Sequence, residues 1–137
     1  MKKIIILVIL LIAFFVTGRM DEKSRPNSAK VSPFTAVSFE DETIRVEFQN
    51  APYDLVSIEG ITSTDLIAAA KKRFGRKWQK RIREDIVDVL KAAGVDEDRH
   101  VDLKLQDHKT GLTKSVSDAK MTEANRSKIY NAEKSDK

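Results

Sequence analysis

Residues 43–58, TIRVEFQNAPYDLVSI, carry the clearest strand pattern in the chain. Within Thr43–Phe48 apolar side chains alternate with polar ones, which is the period expected of a half-buried β-strand. Residues 50–52 interrupt this pattern, and the apolar run that follows, Tyr53–Ile58, has the length of another strand. Strands so close together in the chain pair in antiparallel fashion, so this stretch predicts an antiparallel sheet.

Further strands are predicted on both sides of this pair. A short run before it, Thr35–Phe39, alternates as well, and residues 40–42 are suited to a hairpin loop. Downstream, residues 101–105 alternate again, and a turn-forming stretch at 107–111 leads to a weaker run at 112–116. The sheet is therefore expected to contain four to five strands.

Two helices are predicted between the third and fourth strands. Thr62, with Asp65 three residues later, has the spacing of an N-cap and an acidic first turn, and Gly75 is placed to end the helix in a left-handed conformation. The second helix, Arg76–Ala93, carries a continuous apolar stripe. The stripe consists of Trp78, Ile82, Ile86, Val89, Leu90 and Ala93. This order predicts an α+β fold in which a two-helix layer covers one face of a small antiparallel sheet.

The first 18 residues have the composition of an export segment. Lys2 and Lys3 precede an unbroken apolar run of 13 residues, Ile4–Val16, and small residues follow at 17–18. A spanning helix normally needs about 20 apolar residues, which favours a cleaved signal peptide, with an uncleaved signal anchor as the alternative. Both predict an exported domain, either periplasmic or secreted, or tethered to the membrane by residues 4–18.

The remaining chain is predicted to form one domain between two irregular ends. Residues 19–33 have few apolar side chains, mixed charge and two prolines, so we expect a flexible linker. The domain is expected to cover residues 34–131 and to end in a short helix from Met121 to Tyr130. Residues 132–137 are predicted to be a frayed tail.

Composition excludes several kinds of site. The chain contains no cysteine, which excludes disulfides, thiolate zinc sites and cysteine nucleophiles, and suits a bacterial envelope. Without Lys2 and Lys3, the 25 basic residues become 23 against 21 acidic ones, a net charge of +2. A charge this small predicts no nucleic-acid partner.

No catalytic or cofactor motif stands out. His100 and His108 are the only histidines, and neither an HExxH motif nor a closely spaced histidine pair is present. The sequence also lacks the G-x-S-x-G and S-x-x-K motifs and a glycine-rich phosphate loop. We therefore predict a protein that is not an enzyme and has no metal or cofactor, with a small hydrolase as an alternative.

A dense basic run is the most conspicuous surface feature. Residues 71–83, KKRFGRKWQKRIR, interleave cations with Phe74 and Trp78, a pattern that can bind anions or a partner. The candidate binding residues are Lys71, Lys72, Arg73, Arg76, Lys77, Lys80, Arg81 and Arg83. The alternative is an ordinary solvated helix face, because helical spacing places both aromatic residues on apolar stripes.

Residues 53–66, YDLVSIEGITSTDL, resemble the strand, turn and helix segment of PDZ-like domains, such as the modules that precede the catalytic part of tail-specific proteases. The resemblance covers 14 of the 137 residues. It implies an exported recognition module that binds an extended strand of another protein at a sheet edge. The leading interpretation is thus a non-enzymatic protein-binding module of the cell envelope, and the alternative is a protein that binds anions or a membrane surface through residues 71–83.

Overall fold

A computed structural model describes residues 29–135, which form an α+β domain with a six-stranded antiparallel sheet. The strands are β1 (Ala36–Glu40), β2 (Thr43–Phe48), β3 (Ala51–Ile58), β4 (Ile61–Thr62), β5 (His100–Asp107) and β6 (Thr113–Lys120). The helices are α1 (Ser63–Phe74), α2 (Trp78–Glu84), α3 (Ile86–Ala92) and α4 (Glu123–Ser135), with a 3-10 turn at Gly75–Lys77.

The strands lie in the order β1-β2-β3-β5-β6, and the short β4 pairs with the end of β3. Because Ile58 pairs with Leu103, the helical segment between β3 and β5 leaves and rejoins the sheet at the same end. We call this the helix end, and it also carries the β1–β2 turn at residues 41–42. The opposite, turn end carries the β2–β3 turn at residues 49–50 and the β5–β6 turn at 108–112.

One face of the sheet forms the core. In β2 and β5 every second side chain is buried, and the residues between them are half-buried or exposed. The buried residues of these two strands are Ile44, Val46, Phe48, Val101, Leu103 and Leu105. Such alternation is expected of an antiparallel sheet that packs against helices on one face and meets water on the other. The predicted fold class is therefore confirmed.

The caps of α1 follow from its sequence. The Thr62 hydroxyl accepts a hydrogen bond from the Asp65 backbone N–H at 3.2 Å, as predicted. Gly75 ends the helix, and its N–H donates to the Lys71 carbonyl. Its backbone has φ 59° and ψ −130°, so Gly75 has the predicted left-handed φ, with a ψ outside the helical region.

The predicted second helix, Arg76–Ala93, is divided in the structure. Asp85 has φ −132° and ψ 53°, outside the helical region, and separates α2 from α3. The Asp85 carboxylate is buried and forms ion pairs with Lys30 and Arg81, and this pairing holds the break in place. The break also brings Val87 into the core, although Val87 lies off the predicted apolar stripe.

The ordered domain extends beyond its predicted limits at both ends. The predicted linker ends at residue 33, but the backbones of Ser32 and Thr122 exchange hydrogen bonds of 3.1 and 3.0 Å, and Ser32 is 1% exposed. Helix α4 continues to Ser135, through residues expected to fray. The first extension rests on contacts between the two ends of the domain, and the end of α4 is joined to α2 by the Glu133–Arg83 ion pair. Local sequence patterns report neither contact.

The predicted export segment, residues 1–18, and most of the linker lie outside the described residues. Across residues 29–135, none of the helices combines the length and apolar character needed to span a bilayer.

Candidate functional site

A cleft of about 530 Å³ lies between β6 and the residues at the start of β1 and the end of β2. One wall is formed by residues 116–120 of β6. The other is formed by Pro33 and Thr35, which lead into β1, and by residues 48–50 at the end of β2. Thr122 and Asn125 also line the cleft, next to the Ser32–Thr122 backbone pair that joins the two walls. We call this surface the edge cleft.

The outer edge of β6 borders the edge cleft. Within residues 29–135, β6 pairs with β5 only, so its other edge has no strand beside it. The Asp107 N–H donates to the Leu112 carbonyl at 2.8 Å, and hydrogen-bonded pairs alternate along an antiparallel ladder. Alternation makes Leu105–Lys114 a hydrogen-bonded pair, so the N–H of Ser115 points away from β5. This outward N–H is available to a further strand.

The eight predicted cations form two groups. Five of them are exposed and make no ion pair with any residue in the described range: Lys72, Arg73, Arg76, Lys77 and Lys80. These five lie where α1 turns into α2, and we call this region the basic elbow. Five of the eight predicted cations are thus both exposed and without an ion pair in the described range.

The other three predicted cations contact the domain itself. Lys71 lies 3.8 Å from the Glu42 carboxylate and 5.0 Å from the Trp78 ring centroid. Arg81 pairs with Asp85 at 3.0 Å, and Arg83 pairs with Glu133 at 3.0 Å. Ion pairing leaves these side chains with little capacity for an external anion.

The two aromatic residues of the basic run are half-buried. Trp78 packs edge-on against Phe39, with ring centroids 5.2 Å apart, and Phe74 lies 5.2 Å from the Arg81 guanidinium. Both also pack against the hydrophobic core. Trp78 and Phe74 therefore anchor the elbow to the domain, and little of their ring surface is left for stacking on a ligand.

A buried acidic cluster lies at the C-terminal end of α2, and no local sequence pattern predicted it. Glu84 and Asp85 are each 6% exposed. The Arg126 Nε donates to the Glu84 carbonyl at 2.9 Å, and its Nη2 lies 3.7 Å from the Glu84 carboxylate. Glu133 also lies close to Glu84. These residues come from α2 and α4, so only tertiary packing brings them together.

Burial raises the pKa of the Glu84 carboxyl above its ordinary value of 4.5, and the neighbouring Glu133 raises it further. The Glu84 carboxyl therefore binds its proton more tightly in the folded state than in the unfolded state. We expect the free energy of unfolding to fall as the pH rises from 4.5 through the raised pKa. In Glu84→Gln this part of the pH dependence should be absent. Urea unfolding of both proteins across this pH range measures the difference, and parallel curves would contradict it.

His108 lies in a second charged cluster at the turn end. Its ring nitrogens are 3.3 Å from the Arg45 guanidinium, and its Nδ1 is 3.5 Å from the Asp54 carboxylate. Arg45 also pairs with Asp54 at 3.3 Å and with Glu40 at 3.1 Å. The cluster borders a smaller cleft of about 270 Å³. It combines a histidine with a carboxylate, but the side chains are largely solvent-accessible and pair with one another.

The structure does not combine the histidines into one site. His100 and His108 lie at opposite ends of β5, which at about 3.3 Å per residue puts them more than 20 Å apart. Asp107 accepts hydrogen bonds from the N–H groups of Lys109 and Thr110, which lower its pKa and hold the turn. In the described part of the chain, no three His, Asp or Glu residues are grouped so that they could hold a metal ion.

Fold and surfaces define an α+β module with an open antiparallel sheet, an accessible strand edge and a basic elbow. Comparison with protein-family models, characterised proteins and solved structures found no match.

Proposed function

We propose that this protein is a non-enzymatic recognition module of the cell envelope that binds an extended segment of another protein. The observation that supports it is the accessible edge of β6 beside the edge cleft. An extended peptide can add to such an edge through backbone hydrogen bonds, while side-chain pockets select its sequence. The residues 116–120 that line the cleft would cover about five residues of bound peptide, or about 17 Å.

The walls of the cleft favour a particular kind of segment. Phe48, Val116, Ala119 and Pro33 supply apolar surface, and Asp118 and Lys120 contribute one charge of each sign. This composition favours an extended segment with small apolar side chains and little net charge.

Features of β6 also discourage pairing between copies of the domain. Lys114 and Lys120 place charge on the edge, and the register shifts beside Asp118, which has φ 54°. Charged residues and irregularities of this kind are the usual protection of an exposed edge strand. The edge is therefore suited to a selected partner that enters the cleft.

Export of the domain is part of the proposal, because residues 2–18 have the pattern of a signal peptide or signal anchor. A partner would then be another envelope or secreted protein. Mass spectrometry of the N-terminus of protein isolated from the envelope would decide between cleavage and retention. Recovery of the intact chain from the cytoplasm would contradict export altogether.

The variant Ser115→Pro tests the proposed binding edge. Proline removes the outward N–H of β6 and leaves the hydrogen bonds to β5 intact. Losing one backbone hydrogen bond of about 1 kcal/mol should weaken a bound peptide roughly three- to tenfold. Peptides selected from a displayed library of uncharged extended sequences are titrated against labelled protein by NMR.

The matched control is Ser115→Ala, which keeps the backbone N–H and should bind within about twofold of the parent. Shifts should be confined to residues 113–120 and 32–35, and the spectrum of unliganded Ser115→Pro checks that it is folded. Equal binding by the proline and alanine variants, or shifts elsewhere on the domain, would count against this edge.

A further inference from the structure

The basic elbow concentrates positive charge on one surface. Without Lys2 and Lys3, the whole chain has a net charge of only +2. Its five exposed cations fall within residues 72–80, where Gly75 ends α1 and the chain turns into α2. Trp78 and Phe74 pack against the core and hold the backbone of the elbow in place. Lysine and arginine side chains clustered in this way attract a surface that carries many phosphate groups.

The segment that precedes the domain joins it close to the basic elbow. Lys30 forms an ion pair with Asp85, at the end of α2, so the segment that precedes the domain meets it beside the elbow. Lys80 precedes Asp85 by five residues, which is about 8 Å along a helix. The 13 residues between Val16 and Lys30 can span at most about 45 Å. A membrane that holds residues 4–16 would therefore lie within reach of the elbow.

We infer that the basic elbow rests on the anionic phospholipid headgroups of the membrane that holds the N-terminal segment. The inference rests on the proposed envelope location and on retention of residues 4–18. It does not depend on the β6 edge, which lies on a different part of the domain. Docking by the elbow gives the domain a defined orientation on the bilayer.

The absence of cysteine makes a direct test possible, because one introduced thiol is the only labelling site. The full-length chain carrying Gln79→Cys in the elbow, or Leu112→Cys at the turn end, is spin-labelled and reconstituted in vesicles. The vesicles contain phosphatidylcholine with or without phosphatidylglycerol. A paramagnetic chelate attached to lipid headgroups then reports how close each label lies to the membrane.

We expect the label at residue 79 to approach the headgroups on anionic vesicles only, and the label at residue 112 to stay away on both kinds. Raising the salt concentration from 0.1 to 1 M shortens the Debye length from about 10 to about 3 Å and should abolish the contact. Lys72→Glu/Arg76→Glu/Lys77→Glu should lower the contact at least about fivefold per reversed charge. Lys104→Glu/Lys109→Glu/Lys128→Glu, with the same change in net charge, should retain it.

Equal proximity on neutral and anionic vesicles would overturn the inference, and so would equal losses in the two triple variants. The wild-type comparison of lipids and salt needs no substitution, so it decides the question even if a variant misfolds. Heparin provides a soluble polyanion as a further probe. Elbow-dependent binding to heparin, without contact at anionic vesicles, would also overturn the membrane assignment. None of these results bears on peptide binding at β6, which is measured separately.

Discussion

Ile86→Ala should lower the free energy of unfolding by about 2–5 kcal/mol, the cost of removing a large aliphatic side chain from a packed core. Ile86 is the first residue of α3 and is 2% exposed, with Val89 and Leu90 buried beside it. The cavity left by the substitution cannot collapse easily, because α3 packs against both α1 and α2. Urea unfolding followed by far-ultraviolet circular dichroism measures the change.

The matched control is Leu112→Ala, since Leu112 lies in the β5–β6 turn and is 71% exposed. Its effect should stay within about 0.5 kcal/mol. For a domain of this size each kcal/mol corresponds to a melting-temperature shift of about 4–8 °C, so thermal melts separate the two variants clearly. Similar stabilities of Ile86→Ala and Leu112→Ala would show that the buried face of α3 is assigned incorrectly.

Arg126→Met should cost about 2–3 kcal/mol at neutral pH, less than the roughly 3–5 kcal/mol typical of breaking a fully buried ion pair. The expected cost is lower than for a fully buried pair because water has partial access to the Arg126 side chain, which is 18% exposed. Methionine keeps most of the apolar stem but removes the hydrogen bond to the Glu84 carbonyl. It also removes the ion pair with the buried Glu84 carboxylate, whereas Asp85 keeps its pairs with Lys30 and Arg81.

The pH dependence distinguishes this electrostatic cost from lost packing. Protonation of Glu84 at low pH removes one of the charges that Arg126 compensates, so the cost should shrink as the pH falls. Lys128→Met is the control, because Lys128 lies on the exposed face of the same helix. A cost that does not change with pH, or an equal effect of Lys128→Met, would contradict the proposed role of Arg126.

Elements with a strong local pattern were predicted closely. The limits of β2, Thr43–Phe48, agree with the structure, because alternation of apolar and polar residues reports directly which side chains face the core. The Thr62 cap was equally readable, since its hydrogen bond spans three residues. By contrast, β6 was predicted to end at Val116 and continues to Lys120, because the bulge at Asp118 breaks the alternation.

The candidate surfaces were predicted only in part. The basic run was visible as composition, but the ion pairs that engage Lys71 and Arg83 involve Glu42 and Glu133, far away in the chain. The edge cleft had no sequence signal, because its walls come from residues 33–35, 48–50 and 116–125. The resemblance of residues 53–66 to PDZ-like domains remains a prediction. These residues do form a strand, a turn and the start of a helix, but that local geometry does not identify a family.

Local sequence patterns were enough to predict the α+β class, the antiparallel pairing of the strands and the position of the cationic run. Each of these follows from side chains only a few positions apart, whose spacing sets which face of a strand or helix is apolar. Tertiary packing is needed to produce the break at Asp85, the burial of Glu84 beside Arg126 and the cleft along β6. These features depend on contacts between distant parts of the chain, and such contacts form only when the helices pack on the sheet.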